Sequence, residues 1–285
     1  MSTQVRPIAA ADVRAVGEFL HTHLNSRVPA NAWARCIEVP WTVDQPNMGF
    51  MLLADDAVVG AHLAFYSERL IDGRTERFCN LGAWCVLPEH RFQGMKLLRS
   101  LLAQTDYHFT DLSPSGNVPA LNAKLGFTEL DSTTWLVPNL PWPPMPGAGS
   151  IVTDPAAIER SLDGEQLALY KDHAGAAAAR HLVLTRGQER CYVVFRKDRR
   201  RDLPLFASLL HVSDPDLLRR MARPLACHLL LRHGACATLA ERRIVRHKPP
   251  GSRPLRSPRK KMFRSKRLQP AQIDYLYSEL VCLAW

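Results

Sequence analysis

Four prolines interrupt the chain within residues 139–149, whose sequence is NLPWPPMPGAG, and a fifth precedes them at position 138. A proline fixes φ and has no backbone N–H, so such a run cannot continue a helix or a central strand. The segment therefore divides the 285 residues into two stretches, each of ordinary domain size. We predict a first domain over residues 1–138, a linker over 139–149 and a second domain over 150–285.

Short apolar runs alternate with amphipathic segments in the first stretch, which is typical of strands that alternate with helices. Asp72-Gly73 marks a hairpin turn between two of the runs. The pattern predicts strands over 5–8, 49–54, 57–70, 77–87, 107–112 and 127–137, and helices over 10–24, 29–37, from about 94, and over 117–125. The order βααβββαβαβ predicts an α+β fold on a mixed α/β sheet.

The second stretch repeats part of this order. We predict helices over 158–170 and 215–233, the latter kinked at Pro224, and strands over 181–185, 191–196, 203–212, 235–240 and 275–283. Its hairpin, strand, helix and strand follow one another as in residues 50–112. We infer a duplicated architecture from that order, since the two stretches share no sequence repeat.

The net charge of +10 comes from one segment, residues 242–267, which holds twelve Lys or Arg and no acid. Without it, 25 basic residues face 27 acidic ones, so no broad basic face is expected. The composition favours a mobile, solvated loop. The alternative is contact with an anion: a phosphate group of a bound ligand, an acidic glycan or lipid surface, or RNA. Phe263 is its single aromatic residue, which argues against stacking on nucleic acid.

Cysteine usage and hydropathy indicate a cytoplasmic protein. The seven cysteines are odd in number and form no CxxC pair, which fits reduced thiols better than disulfides. Cys227 and His228 are adjacent on a predicted helix and point in different directions, so we expect no metal site with His233 and Cys236. No apolar run reaches eighteen residues, and the first residues lack the apolar core of a signal peptide.

The segment VLPEHRFQGMK at 86–96 carries the clearest chemical signal. A strand ends at Pro88, a polar loop follows, and a helix opens near Gly94. Helix N-termini expose unpaired N–H groups and suit a phosphate or pyrophosphate. Gly94 permits close approach of a ligand, and Arg91 and Lys96 add positive charge.

This segment resembles a motif of the GNAT (Gcn5-related N-acetyltransferase) superfamily, V-x-P-E-x-R-x-x-G-x-G/A. The match covers Val86, Pro88, Glu89, Arg91 and Gly94, while Lys96 replaces the final small residue. A second family signature, K-x-G-F after the next helix, matches residues 124–127. The resemblance covers about half of the chain, and the second half would be a degenerate GNAT-like domain, as in double-GNAT acyltransferases.

The resemblance implies acetyl-CoA or another acyl-CoA as co-substrate, and transfer of the acyl group to a small-molecule or peptide acceptor, in the first place an amine. The fourth strand of the family pairs with the pantetheine arm, and the loop amides hold the pyrophosphate. The implied contact residues are Val86, Leu87, Arg91, Phe92, Gln93, Gly94, Met95 and Lys96, with Asn117 at a place from which an asparagine often approaches the cofactor.

The acid and base of the reaction are less clearly marked. The family often places a tyrosine where this chain has Asn122, so the usual acid is absent. His108 and Asp111, on the next predicted strand, are our candidates for a base that acts through water. The second half lacks a glycine loop and is expected to shape the acceptor site or the core of the fold. The alternative function is a catalytically inactive GNAT-like binding or regulatory protein.

Overall fold

The computed structural model describes residues 3–143, 147, 149–200 and 203–284. Residues 144–146 and 148 of the predicted linker lie outside the described residues. The elements of the first half are β1 (Thr3–Pro7), α1 (Val13–His23), α2 (Ala30–Ile37), β2 (Gly49–Ala54), β3 (Ala57–Ile71), β4 (Arg74–Val86), α3 (Gly94–Leu102), β5 (His108–Asp111), α4 (Val118–Lys124), β6 (Thr128–Glu129) and β7 (Thr134–Pro138).

The second half contains more short elements than the first. They are β8 (Ser150–Val152), α5 (Pro155–Ser161), α6 (Gly164–His173), β9 (Arg180–Arg186), β10 (Glu189–Arg200), β11 (Leu203–Val212), α7 (Pro215–Arg220), α8 (Ala222–His233), β12 (Ala237–Glu241), α9 (Arg242–Val245), β13 (Arg253–Pro254), β14 (Met262–Arg264) and α10 (Glu279–Cys282).

The strands form two seven-stranded mixed sheets, which confirms the predicted α+β class. The first has the order β1-β2-β3-β4-β5-β14-β6 and the second β13-β7-β12-β11-β10-β9-β8. In each sheet an antiparallel hairpin pairs with a third antiparallel strand, which then pairs in parallel with a fourth: β2-β3-β4-β5 and β9-β10-β11-β12. This repeated pairing is the duplication that the element order predicted.

The two halves exchange a strand. β14 comes from the second half yet pairs antiparallel with β5 and β6 in the first sheet. β7 comes from the first half yet pairs antiparallel with β12 in the second sheet. The predicted domain boundaries at 138 and 150 stay a prediction. Each sheet, however, contains strands from both sides of the proline-rich segment.

The expectation that residues 242–267 form a mobile, solvated loop is wrong. The segment contributes α9, β13 and β14, and Met262 and Phe263 are buried in the first sheet. Five of its twelve cations pair with acids elsewhere: Arg242 with Asp131, Arg259 with Asp198, Lys260 with Glu129, Lys261 with Glu241, and Arg267 with Glu76. Composition hid this because the few apolar residues that anchor the segment stand among many charges.

Four predicted elements differ clearly from the structure. The helix over 158–170 is two helices, α5 and α6, separated at Leu162 and Asp163. The single strand over 127–137 is two strands, β6 and β7, which join different sheets. The predicted final strand over 275–283 is wrong: residues 275–278 form bends, and the hydroxyl of Ser278 accepts from the Leu280 N–H and starts α10. The helix over 215–233 is interrupted at Met221, and Pro224 falls in the first turn of α8, where a missing N–H costs little.

One apolar core joins the two halves. It includes Ile8 and Phe65 of the first half and Tyr192, Leu210 and Tyr275 of the second, all buried. The packing places the C-terminal helix α10 against the first sheet near the end of β4. In the described part of the chain, no helix has the length and apolar character needed to cross a membrane.

Candidate active site

β4 and β5 separate from each other and open a cavity. They pair in parallel from Phe78–His108 to Leu81–Asp111, and β4 then continues to Val86 without β5 beside it. A cavity of about 350 Å³ occupies the gap, and we call it the β4–β5 cavity. Residues 82–86 therefore carry backbone polar groups with no strand partner on the β5 side, and such groups seek a ligand.

A β-bulge deforms β4 at the wall of the cavity. Ala61 pairs with Cys85 and Leu63 with Gly82, so His62 faces two residues of β4, Ala83 and Trp84. Ala83 has a φ of 49°, in the left-handed region that a residue with a Cβ seldom adopts. Bulges of this kind re-aim backbone groups and are common beside active sites.

Asp111 lies at the bottom of the gap, where β5 ends. Its side chain lines the cavity and is buried. Burial raises the pKa of Asp111 to about 7, and the negative charge of Glu279 adds to the rise. The Asn122 side-chain amide donates to its Oδ2 at 2.8 Å and fixes the carboxylate. A carboxylate with a pKa near neutrality is suited to accept a proton at physiological pH.

Glu279 is a second buried carboxyl group, and sequence reasoning missed it. It begins α10 and lies behind the cavity wall, accepting hydrogen bonds from Ser113 Oγ at 2.6 Å and from the Asn80 amide. A Cβ placed on Gly82 would come within 3.4 Å of its Oε2. Burial raises the pKa of Glu279. No motif marked this residue, because only the fold brings α10 beside β4.

His62 completes the apolar wall. Its ring stacks on Trp84 with the centroids 4.9 Å apart and the planes 3° from parallel. Burial lowers the pKa of His62 to about 3, so its imidazole is neutral at physiological pH. The residue can therefore present a ring face to a ligand, but it cannot act there as a cationic acid.

The predicted phosphate loop is helical. Residues Pro88–Gln93 form a 3₁₀ helix that leads directly into α3, and the Gly94 N–H donates to the Arg91 carbonyl. Gly94 has a φ of −55°, so its role is close packing: an added Cβ would lie 3.2 Å from Val86 Cγ2. Arg91 and Lys96 are exposed, as is Phe92 at 97%. Arg91 lies in the 3₁₀ helix and Lys96 in α3, so the segment predicted as an open polar loop is helical.

The remaining predicted cofactor residues are close in sequence to segments that line the cavity, but they do not appear among the described residues of its lining. Val86 and Leu87 are half-buried at the end of β4, and Gln93 and Met95 are half-buried at the start of α3. Asn117 is exposed and precedes α4, whose first residue, Val118, lines the cavity. The contacts of these residues with a cofactor therefore stay a prediction.

Solved structures with the same architecture identify the fold. A GCN5-related N-acetyltransferase from Anabaena variabilis matches with a TM-score of 0.60 at 12% identity, over 92% of this chain and 72% of that chain. One from Kribbella flavida matches with a TM-score of 0.55 at 14% identity, over 92% and 71%. The chain has the GNAT fold.

A third match is Saccharomyces cerevisiae N-myristoyltransferase, solved with bound myristoyl-CoA, with a TM-score of 0.52 at 9% identity over 100% of this chain and 86% of that chain. No protein-family model and no curated protein sequence matches the chain. The structural similarity establishes the GNAT fold. At such low sequence identity, the activity has to be argued from the site itself.

His108, our other candidate base, lies elsewhere in the GNAT fold. It is buried, its Nε2 is 2.9 Å from Glu76 Oε2, and its Nδ1 is 2.9 Å from Ser265 Oγ. Glu76 also accepts from Arg267. Among the described residues that line the β4–β5 cavity, His108 does not appear. The hydrogen bonds of this cluster connect β4 and β5 to the segment after β14, so we assign His108 a structural role.

We expect Glu76→Gln to lower the free energy of unfolding by about 1–3 kcal/mol at pH 7, because it weakens a buried, charge-assisted cluster. The His108 hydrogen bond and Arg267 hold the pKa of Glu76 below its ordinary 4.5. The contribution is therefore present above pH 4.5 and is lost as the pH falls below it. Urea unfolding at pH 7 and pH 4 measures the difference.

The matched control is Glu129→Gln, which removes an exposed pair with Lys260 and should cost less than about 0.5 kcal/mol. If both variants unfold alike at pH 7, the buried cluster is not a stabilising one.

The four residues considered for a metal do not converge. The rings of His228 and His233 are 5.3 Å apart, and Cys236 is exposed. Within the described ranges, no three His, Cys, Asp or Glu side chains are grouped as metal ligands.

Proposed function

We propose that the protein is an acyltransferase that moves an acetyl or other acyl group from coenzyme A to an amine. The observation that carries this proposal is the separation of β4 and β5 beyond Leu81–Asp111, which opens a cavity beside an unpaired, bulged strand with a buried carboxyl group of pKa about 7 at its end. Such a cavity accepts an extended chain along β4 and a reacting group at Asp111.

The residues present fit acyl-CoA as co-substrate. The free side of residues 82–86 offers backbone donors and acceptors to the amides of a pantetheine arm, as an added strand would use them. Arg91 and Lys96, exposed at the start of α3, offer positive charge to the phosphates. A protein of the same fold was solved with myristoyl-CoA bound, which supports this class of ligand.

The reaction that suits the cavity is direct transfer. The amine nitrogen attacks the thioester carbonyl carbon, a C–N bond forms, the C–S bond breaks, and coenzyme A leaves as thiolate. Asp111 accepts the proton that the amine loses, directly or through water, and Asn122 holds the carboxylate in place. The thiolate takes a proton from solvent or from protonated Asp111. Backbone N–H groups at the bulge are suited to polarise the carbonyl oxygen.

Calorimetry with acetyl-CoA, followed by an assay of thiol release across a panel of amines, tests this function. We expect binding and amine-dependent release. Absence of binding at millimolar acetyl-CoA would reject the proposal. Binding without release from any amine would favour the inactive GNAT-like binding protein, an alternative that Asn122 in place of the usual tyrosine and Lys96 in place of a small residue make worth testing.

A charge reversal tests the phosphate end of the site. We expect Arg91→Glu to raise the KM for acetyl-CoA about tenfold and to leave kcat nearly unchanged, because it replaces a charge-assisted contact by repulsion. Arg99→Glu makes the same charge change on the exposed surface of α3, further from its start, and is the control. Equal KM values for the two variants would remove Arg91 from the site.

A further inference from the structure

A second, smaller cavity lies between the second sheet and α10, and we call it the arginine cavity. It measures about 40 Å³. Its charged lining residues are Arg196, Asp198, Arg200, Glu241, Arg259 and Lys261. Four cations therefore face two carboxylates. The volume is enough for a few waters, or for one carboxylate or phosphate group.

Within the described ranges, two of the cations have no carboxylate partner. Lys261 pairs with Glu241. Asp198 contacts Arg259 at 3.4 Å through Oδ1, and its Oδ2 accepts from Ser208 Oγ at 3.0 Å. Arg196 and Arg200 instead donate one N–H each to main-chain carbonyls, those of Leu280 at 3.0 Å and Ser257 at 3.1 Å.

Three guanidinium nitrogens in this cavity's lining are buried and unsatisfied. Arg196 Nε and Nη2 and Arg200 Nε have no hydrogen-bond partner within the described part of the chain. Arg196 is 1% exposed, and an unpartnered cation at such depth is costly. Burial lowers the pKa of both arginines, which reflects the same cost. A bound anion would remove it, and a guanidinium fork matches the two oxygens of a carboxylate or phosphate.

The arginine cavity adjoins the β4–β5 cavity. Arg259 lines both. The Leu280 carbonyl that Arg196 holds belongs to the residue after Glu279, behind the wall of the β4–β5 cavity. Arg259 therefore connects the two cavities, and a ligand that extends along it from Asp111 would meet the arginines. Arg259 and Lys261 belong to the basic segment 242–267, so two of the charges of that segment line the arginine cavity.

We propose that the arginine cavity binds a compact oxyanion, a carboxylate or phosphate group, that belongs to the acyl acceptor. The acceptor class is then an amine that carries a negative charge. The assignment to the acceptor rests on the proposed function, while binding of the oxyanion does not.

Thermal unfolding in sodium phosphate and in sodium chloride of equal ionic strength tests the oxyanion site without coenzyme A. We expect phosphate, at several times its Kd, to raise the Tm of the wild type by about 2 °C. Arg200→Gln and Arg259→Gln should lose this rise. Arg199→Gln, on the exposed face of β10, makes the same charge change and should keep it.

An equal phosphate shift in all four proteins, or none in the wild type, would overturn the site. Arg259 is an exposed side chain, so its variant keeps the test valid should Arg200→Gln fail to fold.

Acceptor kinetics test the assignment to the acyl acceptor. We expect kcat/KM to be at least about tenfold higher for β-alanine or O-phosphoethanolamine than for ethanolamine, since one charge-assisted contact is worth that factor. β-Alanine tests whether the cavity binds a carboxylate group, and O-phosphoethanolamine tests whether it binds a phosphate group. Arg200→Gln should abolish the preference and Arg199→Gln should retain it.

Equal kcat/KM for the three amines would overturn the assignment. Thiol release from none of these amines or of the wider amine panel, with acetyl-CoA bound, would favour the inactive GNAT-like binding protein instead, and the phosphate shift would still decide the oxyanion site.

Discussion

Asp111→Asn is expected to lower kcat for acyl transfer by about 10²–10⁴-fold, the range for loss of a general base. Asparagine keeps the size of the side chain and its hydrogen bond with Asn122 but cannot accept the amine proton. The affinity for acetyl-CoA, measured by calorimetry, should remain unchanged, because the proposed phosphate contacts, Arg91 and Lys96, are not among the described residues that line the cavity with Asp111. The loss therefore falls on the chemical step.

The pH dependence gives this prediction a signature. Because the pKa of Asp111 is raised to about 7, kcat/KM of the wild type should rise with pH and level off above that value. The Asp111→Asn protein should lack this limb. Asp106→Asn is the matched control, since Asp106 is exposed in the turn before β5 and asparagine tolerates its φ of 67°.

Stability provides a readout that does not depend on activity. A raised pKa means that the folded state holds the Asp111 proton more tightly than the unfolded chain does. This contribution is complete below the ordinary pKa of 3.8 and is lost as the pH rises through about 7. The wild type should therefore lose stability over that interval relative to Asp111→Asn. A wild-type rate profile with no limb near 7, or an unchanged kcat in the variant, would exclude Asp111 as the base.

Phe263→Ala is expected to lower the free energy of unfolding by about 3–5 kcal/mol, as for other buried phenylalanines. Phe263 is 5% exposed in β14, where it pairs with Thr110 of β5 and Thr128 of β6. The substitution leaves a cavity in the joint between the two halves. Urea unfolding followed by fluorescence and by circular dichroism measures the loss.

Phe92→Ala is the control for this experiment. It removes the same side chain at a position that is 97% exposed, so it should change the free energy of unfolding by less than about 0.5 kcal/mol. A similar small effect at Phe263 would mean that β14 is not held in the first sheet in solution, and that the basic segment is the mobile loop that its composition suggested.

Local signals in the sequence were enough to predict much of the first sheet. The hairpin of β3 and β4 follows from Asp72-Gly73, and the start of α3 at Gly94 follows from the Pro88 stop and the leucine spacing. These features are set by neighbours in the chain, and the structure places them close to the predicted bounds. Asp111 at the end of β5 could also be selected, because a polar residue at that end of a parallel strand faces the opening.

The buried carboxyl group of Glu279 and the exchange of β7 and β14 between the sheets could not be predicted from local sequence signals. Glu279 follows its hydrogen-bond partner Ser113 by 166 residues, and nothing near it in sequence distinguishes it from a surface glutamate. Residues 262–264 are three apolar or basic positions within a highly charged run, and their pairing with β5 depends on an edge built far earlier in the chain. Long-range pairing of this kind leaves no periodic signal.

The exchanged strand also sets an order of events during synthesis. Once residue 111 has left the ribosome, β5 presents an unpaired edge, and its proper neighbour is not made until residue 262. At about 5–20 residues per second this interval is on the order of ten seconds. Open strand edges invite pairing with other chains. The nascent protein therefore passes through a long exposed stage, which ends only when β14 has been made and pairs with β5.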